Sequence, residues 1–450
     1  MIDEKIEKEK YDFNHQFHSK NENNKNNLEN KLQIRKKFNF INNSNRIVKK
    51  ISFSYQPKIR KNKNLYLSSF SINISNKNTI IKFVKTENFS LIPKDDFEIE
   101  EEDELKYLSS INPKGLKNLG GCCYMNSTLQ CFYHIKEFTN YFLKDKKKIK
   151  SKKGLISTGL LDVIEGLSKK DSNTYYIPQK FKRNLIKFDE SFRGSEGKDS
   201  ADLVELILSA CQEELGGELD FPNTSLDQRQ ESLLFLDVFY KNSKVQSIIF
   251  DLFTFYLKIR NKCDVCGVSY YDIASENMIT FDLEQVFKFP SIILGDYSNL
   301  NYNKRIVSID DCLECFSFDG HVTKNIICKY CKNNTLIYTI KSFATLPKYL
   351  IMHMSRGENE KFECDVNFNE MIDLSLSYDS VEGLPKEEDT IYTLIAGTIL
   401  WGSKGYGHTV AFCRHFNGEY FIFNDSGFSK TNFEYIKKQK IYLLFYKKNI

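Results

Sequence analysis

An α+β fold is predicted by three observations. A Gly-Gly-Cys-Cys junction opens onto an apolar stripe at helical spacing, apolar strand candidates flank an Asn-Gly turn near the C-terminus, and two Cys-x-x-Cys pairs lie between them.

The junction comes first. Gly120 and Gly121 permit a tight turn, after which Met125, Leu129, Phe132, Ile135, Phe138 and Phe142 recur at steps of three and four, predicting a helix through residue 143. A cysteine at such a loop-to-helix junction lies near unpaired N–H groups and the positive end of the helix dipole. Both favour the thiolate, which is the nucleophile. Cys122 and Cys123 as small buried hydrophobes is the plain alternative.

Composition bounds the rest. The chain has 450 residues, a hydrophobic fraction of 41% and a net charge of +5, with a mean hydropathy of −0.44. That suits a soluble globular protein of one large or two ordinary domains. No apolar run approaches a membrane span and the start has no signal-peptide core, so a cytoplasmic or nuclear location is expected, with no membrane partner. In that reducing setting the 12 cysteines point to metal binding or catalysis rather than disulfides.

Residues 1–50, dominated by Asn, Lys and Glu, are too polar to offset ordering entropy and are expected to be disordered. Phe70–Ile74 and Thr79–Val84 read as strands of an accessory layer, and the acidic run Glu98–Glu104 as a linker. The expected division is a largely disordered extension over 1–110 and a folded domain over 111–450. The lysine-rich run Lys144–Lys153 reads as an exposed, solvated loop, with an anionic-surface patch as the alternative. Asp199 reads as a helix N-cap ahead of the apolar face Leu203, Leu206, Ile207, Ala210 and Cys211.

Cys263, Cys266, Cys328 and Cys331 form two pairs at knuckle spacing. Four thiolates complete a tetrahedral sulfur site for one zinc ion, leaving no position for water, so the metal would be structural and no catalytic cofactor is expected. A third pair, Cys312 and Cys315, sits in a capped short helix and reads as packing. His353, inside an apolar strand, reads as a core histidine.

A general base is sought among seven histidines. His408 opens the strand before Asn417-Gly418, while Asn424 and Asp425 close the strand after it. A hairpin therefore returns base and orienting partner to one edge, and His415 falls at the wrong end. With a plain two-residue turn, cross-strand pairing puts Asp425 on the face of His408; a bulge would put Asn424 there.

These segments resemble one family in order. Gly115 to Ser127 resembles the cysteine box Gly-Leu-x-Asn-Leu-Gly-Asn-Thr-Cys-Tyr-Met-Asn-Ser of the ubiquitin-specific proteases. That register puts Cys123 at the nucleophile and Asn118 at the oxyanion-hole position. Gly121 and Cys122 replace the usual Asn-Thr. The Asp199 segment is similar to the element whose Asp binds the extended ubiquitin tail, with Gly197 and Lys198 in place of two glutamines. Gly407-His408-Thr409-Val410-Ala411-Phe412 and Tyr420-Phe421-Ile422-Phe423-Asn424-Asp425 are similar to the histidine box, which places the third catalytic position on Asn424 with Asp425 as understudy. Thr409, where the family has Tyr, and Trp401, where it often has His, depart from the pattern.

The resemblance implies a papain-like cysteine protease fold with thumb, palm and zinc-tipped fingers. It implies a thiol protease hydrolysing the bond at the C-terminal glycine of ubiquitin through an acyl-enzyme, with ubiquitin and ubiquitinated proteins as partners. A catalytically inactive ubiquitin-binding scaffold and a protease for a ubiquitin-like modifier are the rival readings. A zinc-ribbon nucleic-acid binder is suggested by the lysine runs, but the complete triad argues against it and nucleic acid is not expected as a partner.

Overall fold

The structure, a computed structural model, describes residues 70–75, 78–83 and 107–449. It is interrupted at 195–196, 295–304, 319–321, 358–360, 382–386, 388 and 402–406, and describes only isolated positions between 217 and 246. The chain divides into two compact units, Met1–Thr86 and Glu87–Ile450. In the first, β1 (Phe70–Ser75) and β2 (Asn78–Phe83) pair as an antiparallel hairpin, matching the two strand expectations. The stretch expected to be disordered and the acidic linker lie outside the described residues.

The second unit begins with a helical lobe. Strand β3 (Gly115–Leu116) leads into α1 (Cys123–Tyr133), α2 (Lys136–Lys144), α3 (Lys146–Lys152) and α4 (Leu155–Leu167). Then follow β4 (Tyr175–Tyr176), parallel to β3, α5 (Gln179–Phe188), α6 (Ser200–Leu215) and α7 (Ile248–Phe253). The apolar stripe expected as one helix is two. Ile135 takes an extended conformation (φ −82°, ψ 100°), so α1 ends at Tyr133 and α2 restarts at Lys136, while Phe132, Ile135, Phe138 and Phe142 remain buried together.

The lysine run is not a loop. It folds as α3 because Ile149 has a buried seat and Lys146 and Lys150, one turn apart, reach Glu165 at 3.2 and 3.6 Å. Lys152 Nζ donates to the carbonyls of Leu215 and Gly216 at 2.7 and 3.1 Å, capping the C-terminal end of α6. Three of the run's lysines thereby find partners on the lobe itself.

Next, β5 (Phe255–Cys263) and β6 (Ser269–Glu276) form a hairpin, followed by β7 (Ile279–Asp282), α8 (Leu283–Leu294), β8 (Ile306–Ser308) and α9 (Ile309–Ser317). Cys312 and Cys315 are buried on α9, whose start carries a reciprocal Ser308–Asp311 capping box. Strands β9 (Val322–Ile327) and β10 (Asn334–Phe343) return to complete a four-stranded sheet, β6-β5-β10-β9, with both Cys-x-x-Cys turns at one end.

The palm is an eight-stranded sheet. It takes β11 (Tyr349–Ser355), β13 (Met371–Asp373), β14 (Ile391–Trp401), β15 (His408–Arg414), β16 (Tyr420–Asn424), β17 (Gly427–Thr431) and β18 (Ile441–Lys448) in the order β17-β16-β15-β14-β18-β11-β7, with β13 on β14. The short β12 (Asp365–Asn367) pairs with β8, and α10 (Phe433–Ile436) precedes the last strand. Strand alternation supplies both faces of this sheet. Ala411, Cys413, Phe421, Phe423, Leu443 and Phe445 pack toward the helical lobe, whereas Val410, Phe412, Ile422, Leu444 and Tyr446 enter a second core with α8 and α9. Helix α1 lies against β15, β14 and β16. Its far end meets the far end of β15 where His134 Nε2 and His415 Nδ1 stand 3.0 Å apart, both rings buried, so His415 is a packing residue.

Candidate active site

The junction folds as a tight turn followed at once by a helix. Gly120 (φ 97°) and Gly121 (φ 58°) both occupy left-handed conformations, which explains the Gly at 121: Gly and Asn are the residue types that reach this region at low cost. The side chain of Asn118 holds the turn from inside, its Oδ1 accepting from Gly120 N at 2.9 Å and from Cys122 N at 3.1 Å. Cys122 is fully buried and its Sγ–H donates to Gly120 O at 3.1 Å, as a threonine hydroxyl would. Burial raises its pKa, opposed in part by the nearby Lys182 ammonium. Cys123 is the first residue of α1 and retains 7% exposure.

His408 begins β15 and Asn424 ends β16. His408 Nε2–H donates to Asn424 Oδ1 at 2.7 Å. This contact follows from the hairpin register, in which Arg414 opposes Tyr420 and Ala411 opposes Phe423. His415 N donates to Glu419 O at 2.8 Å, so the loop is Phe416-Asn417-Gly418, with Gly418 at φ 86°. The two-residue turn expected from Asn417-Gly418 is therefore a three-residue loop with a left-handed glycine at its third position, the common bulged alternative. The added residue shifts the pairing by one and brings Asn424, not Asp425, to the face of His408.

Asp425 instead turns toward the cysteine loop. Its carboxylate accepts from Asn118 Nδ2 at 3.0 Å and from Asn126 Nδ2 at 2.8 Å, and its backbone carbonyl accepts from Leu116 N at 2.7 Å. Asp425 holds a left-handed φ of 50°, and the following peptide lies against Gly115, where an added Cβ would stand 2.4 Å from the Ser426 carbonyl. Asn126 and Gly115 are site residues that the sequence reading did not single out. The signal was present, since both belong to the cysteine box.

Asp199 caps α6 as expected, with Oδ1 accepting from Ala201 N at 2.8 Å, and it also accepts from Tyr442 Oη at 2.7 Å. It is 8% exposed. His353 is buried on β11, with Nδ1 3.3 Å from Thr280 Oγ1. Gly405 and Tyr406, ahead of β15, lie outside the described residues.

At the far end of the four-stranded sheet the sulfur atoms of Cys263, Cys266, Cys328 and Cys331 all lie within 4.8 Å of one another. Two of the separations, Cys263–Cys331 and Cys266–Cys328, are 3.9 Å. A zinc ion with Zn–S bonds of about 2.3 Å sets tetrahedral sulfurs roughly 3.8 Å apart, so the four cysteines fit a metal. Left-handed Gly267 (φ 66°) and Lys332 (φ 62°) turn the two knuckles, and Cys266 N and Tyr330 N point at the sulfurs of Cys263 and Cys328 at 3.5 and 3.4 Å.

A helical lobe presenting a cysteine at a helix N-terminus, set against a sheet that carries a hydrogen-bonded His–Asn pair, together with metal-ready fingers, is the papain-like cysteine peptidase fold with thumb, palm and fingers. The comparisons agree. The chain belongs to the family described as ubiquitin carboxyl-terminal hydrolase, whose profile matches residues 114–446. It is 25% identical over 360 residues to ubiquitin carboxyl-terminal hydrolase 2 of Bos taurus, covering 76% of this chain and 56% of that protein. It is 24% identical over 369 residues to ubiquitin carboxyl-terminal hydrolase 3 of Homo sapiens, covering 75% and 68%. The chain thus spans little more than half the length of the bovine relative. Among solved structures, the SAGA DUB module bound to monoubiquitin is similar at a TM-score of 0.58 and 20% identity, over 85% of this chain and 81% of that one. The SAGA module bound to ubiquitin aldehyde is similar at a TM-score of 0.57, with the same identity and coverage. Among the described residues, no helix is long and apolar enough to cross a membrane.

Proposed function

We propose that this chain is a deubiquitinating thiol protease that hydrolyses the isopeptide or peptide bond at the C-terminal glycine of ubiquitin. The observation that carries the reading is the His408 Nε2–Asn424 Oδ1 bond beside a helix that begins at Cys123. With Nε2–H committed to Asn424, the other ring nitrogen, Nδ1, is the one left for the thiol proton. Cys123 attacks the glycine carbonyl, and the imidazolium returns the proton to the leaving lysine amine. A water deprotonated by His408 then cleaves the thioester, releasing the ubiquitin carboxylate and restoring the thiol.

Asn118 is assigned to the oxyanion. An amide nitrogen carries two hydrogens; one is spent on Asp425, and the second is available to the developing charge. Asp425 acts through Asn118 by fixing that amide. Asp199 is assigned to the basic tail of ubiquitin, with Tyr442 orienting its carboxylate. The ubiquitin bound to the similar SAGA module supports ubiquitin as the partner. Residues 111–450 form the catalytic domain in this reading, and residues 1–110 an extension. Cys263, Cys266, Cys328 and Cys331 hold one structural zinc, which stiffens the fingers and takes no part in the chemistry.

The test is ubiquitin carrying a C-terminal electrophile, incubated with wild type, Cys123→Ala and Cys122→Ala. Adduct formation by wild type and Cys122→Ala but not by Cys123→Ala is expected. Binding of ubiquitin without any adduct would turn the reading to the scaffold. An adduct with a ubiquitin-like modifier in place of ubiquitin would change the substrate and keep the mechanism.

A further inference from the structure

The chain contains a single tryptophan, and the structure places it on the histidine assigned as the base. Trp401 is the last residue of β14 and stands directly opposite His408 in the β14–β15 pairing. Directly opposed residues share a face of the sheet. The two rings lie 5.9 Å apart between centroids, inclined by 36°, and the indole keeps 40% exposure. The indole belongs to neither core of the palm sheet and sits part-exposed at the end of β14, beside His408.

We propose that Trp401 is a positioning residue for His408: its indole braces one side of the imidazole while Asn424 holds Nε2, and its π-face favours the charged imidazolium. The proposal rests on the reading of His408 as the general base. Two restraints then act on one ring. Asn424 fixes the ring's rotation by a directional hydrogen bond, and Trp401 limits its swing out of the sheet face by contact. Indole is the aromatic side chain that attracts a cation best. Asp425 follows Asn424 at the end of β16, and Lys404 and Tyr406, on the segment leading into His408, lie outside the described residues. The carboxylate of Asp425 is turned to Asn118 and Asn126, so no carboxylate is assigned to stabilise the imidazolium in place of the indole.

The lone tryptophan also supplies the readout, because imidazolium quenches indole fluorescence on contact. In wild type the emission should titrate with pH, and His408→Gln should abolish that titration. Trp401→Ala should lower kcat more than it raises KM and move the alkaline limb of the kcat/KM profile to lower pH. The expected shift corresponds to a two- to fivefold loss of proton affinity in the imidazole, roughly half a pH unit. Trp401→Phe should recover part of it. Unchanged limb positions in Trp401→Ala, with full adduct formation by the ubiquitin electrophile, would overturn the role of Trp401 and leave the triad standing. Failure of wild type to form the adduct would instead remove the triad reading on which it rests.

Discussion

His408 and Asn424 meet at 2.7 Å because the loop between their strands holds three residues, not two. The contact therefore depends on register, and in the proposed mechanism the amide holds the imidazole by accepting from Nε2–H. Asn424→Ala should lower kcat/KM roughly 10²-fold, the order expected when a base loses its orientation. Asn424→Asp should retain most of the activity, since a carboxylate oxygen accepts the same bond. Steady-state hydrolysis of a ubiquitin C-terminal fluorogenic conjugate measures both. Equal losses in the two variants would mean that the bond is not what orients the base.

Asp425 predicts a different signature. Its carboxylate joins Asn118 and Asn126, and its carbonyl holds Leu116, so one residue ties the end of β16 to the cysteine loop. Asp425→Ala should reduce kcat by roughly 10- to 100-fold with little change in KM, because Asn118 loses the anchor that aims its amide. It should also cost about 1–3 kcal/mol of stability, since Asn126 is buried and would be left short of an acceptor. Denaturant unfolding beside kinetics separates the two effects. A variant destabilised but fully active would make Asp425 a purely structural tie.

Much of this was legible in the sequence, and the misses have physical causes. Cys123 opens a helix, Asn118 holds the glycine turn before it, His408 meets Asn424 and the four cysteines of the two pairs cluster, because each motif encodes local geometry: a glycine turn, a helix start, a knuckle. The loop at Asn417-Gly418 was half legible. The Asn-Gly pair announces a turn, but whether Phe416 joins the loop depends on its seat against His134 and Tyr133, a tertiary contact. The break at Ile135 was hidden for the same kind of reason, since the apolar spacing continues through it and only the fold bends there. The helix at Lys146–Lys152 contradicts the polarity of its own sequence and exists because Glu165 and the end of α6 supply partners from elsewhere in the chain.

Acid stability should reveal one ion cluster. Glu137, on α2, accepts from Lys447 and Lys348 at 3.1 Å each and from Tyr349, joining the helical lobe to β11 and β18. Burial pushes its carboxyl pKa up, but the Lys447 and Lys348 charges and the tyrosine bond outweigh it and hold the value down at about 2. The folded pKa thus lies below the unfolded value near 4.3. The resulting stabilisation is present in full above that unfolded value and is lost as pH falls toward 2. Glu137→Gln should remove about 1–3 kcal/mol at neutral pH and flatten the loss of stability between about pH 4.5 and 2. Urea unfolding across that range checks it, and parallel pH profiles for wild type and variant would refute it.

The sulfur cluster makes the last prediction, and it concerns binding rather than chemistry. Cys263 closes β5 and Cys328 follows β9, so a metal joining them staples the two hairpins of the four-stranded sheet at the end farthest from the palm. Structural zinc contributes folding free energy outright, because the unfolded chain offers no preformed site. Protein purified under reducing conditions should carry about one zinc per chain by elemental analysis. Cys263→Ser or Cys331→Ser should lose it. Those variants should melt several degrees lower and bind ubiquitin more weakly, yet Cys123 should still react with a small thiol-directed electrophile, since its loop is braced by Asn118 and Asp425 and not by the fingers. A wild type that carries no metal as purified, and whose melting temperature does not rise when zinc is added, would show that four sulfurs at this spacing stand together by packing alone.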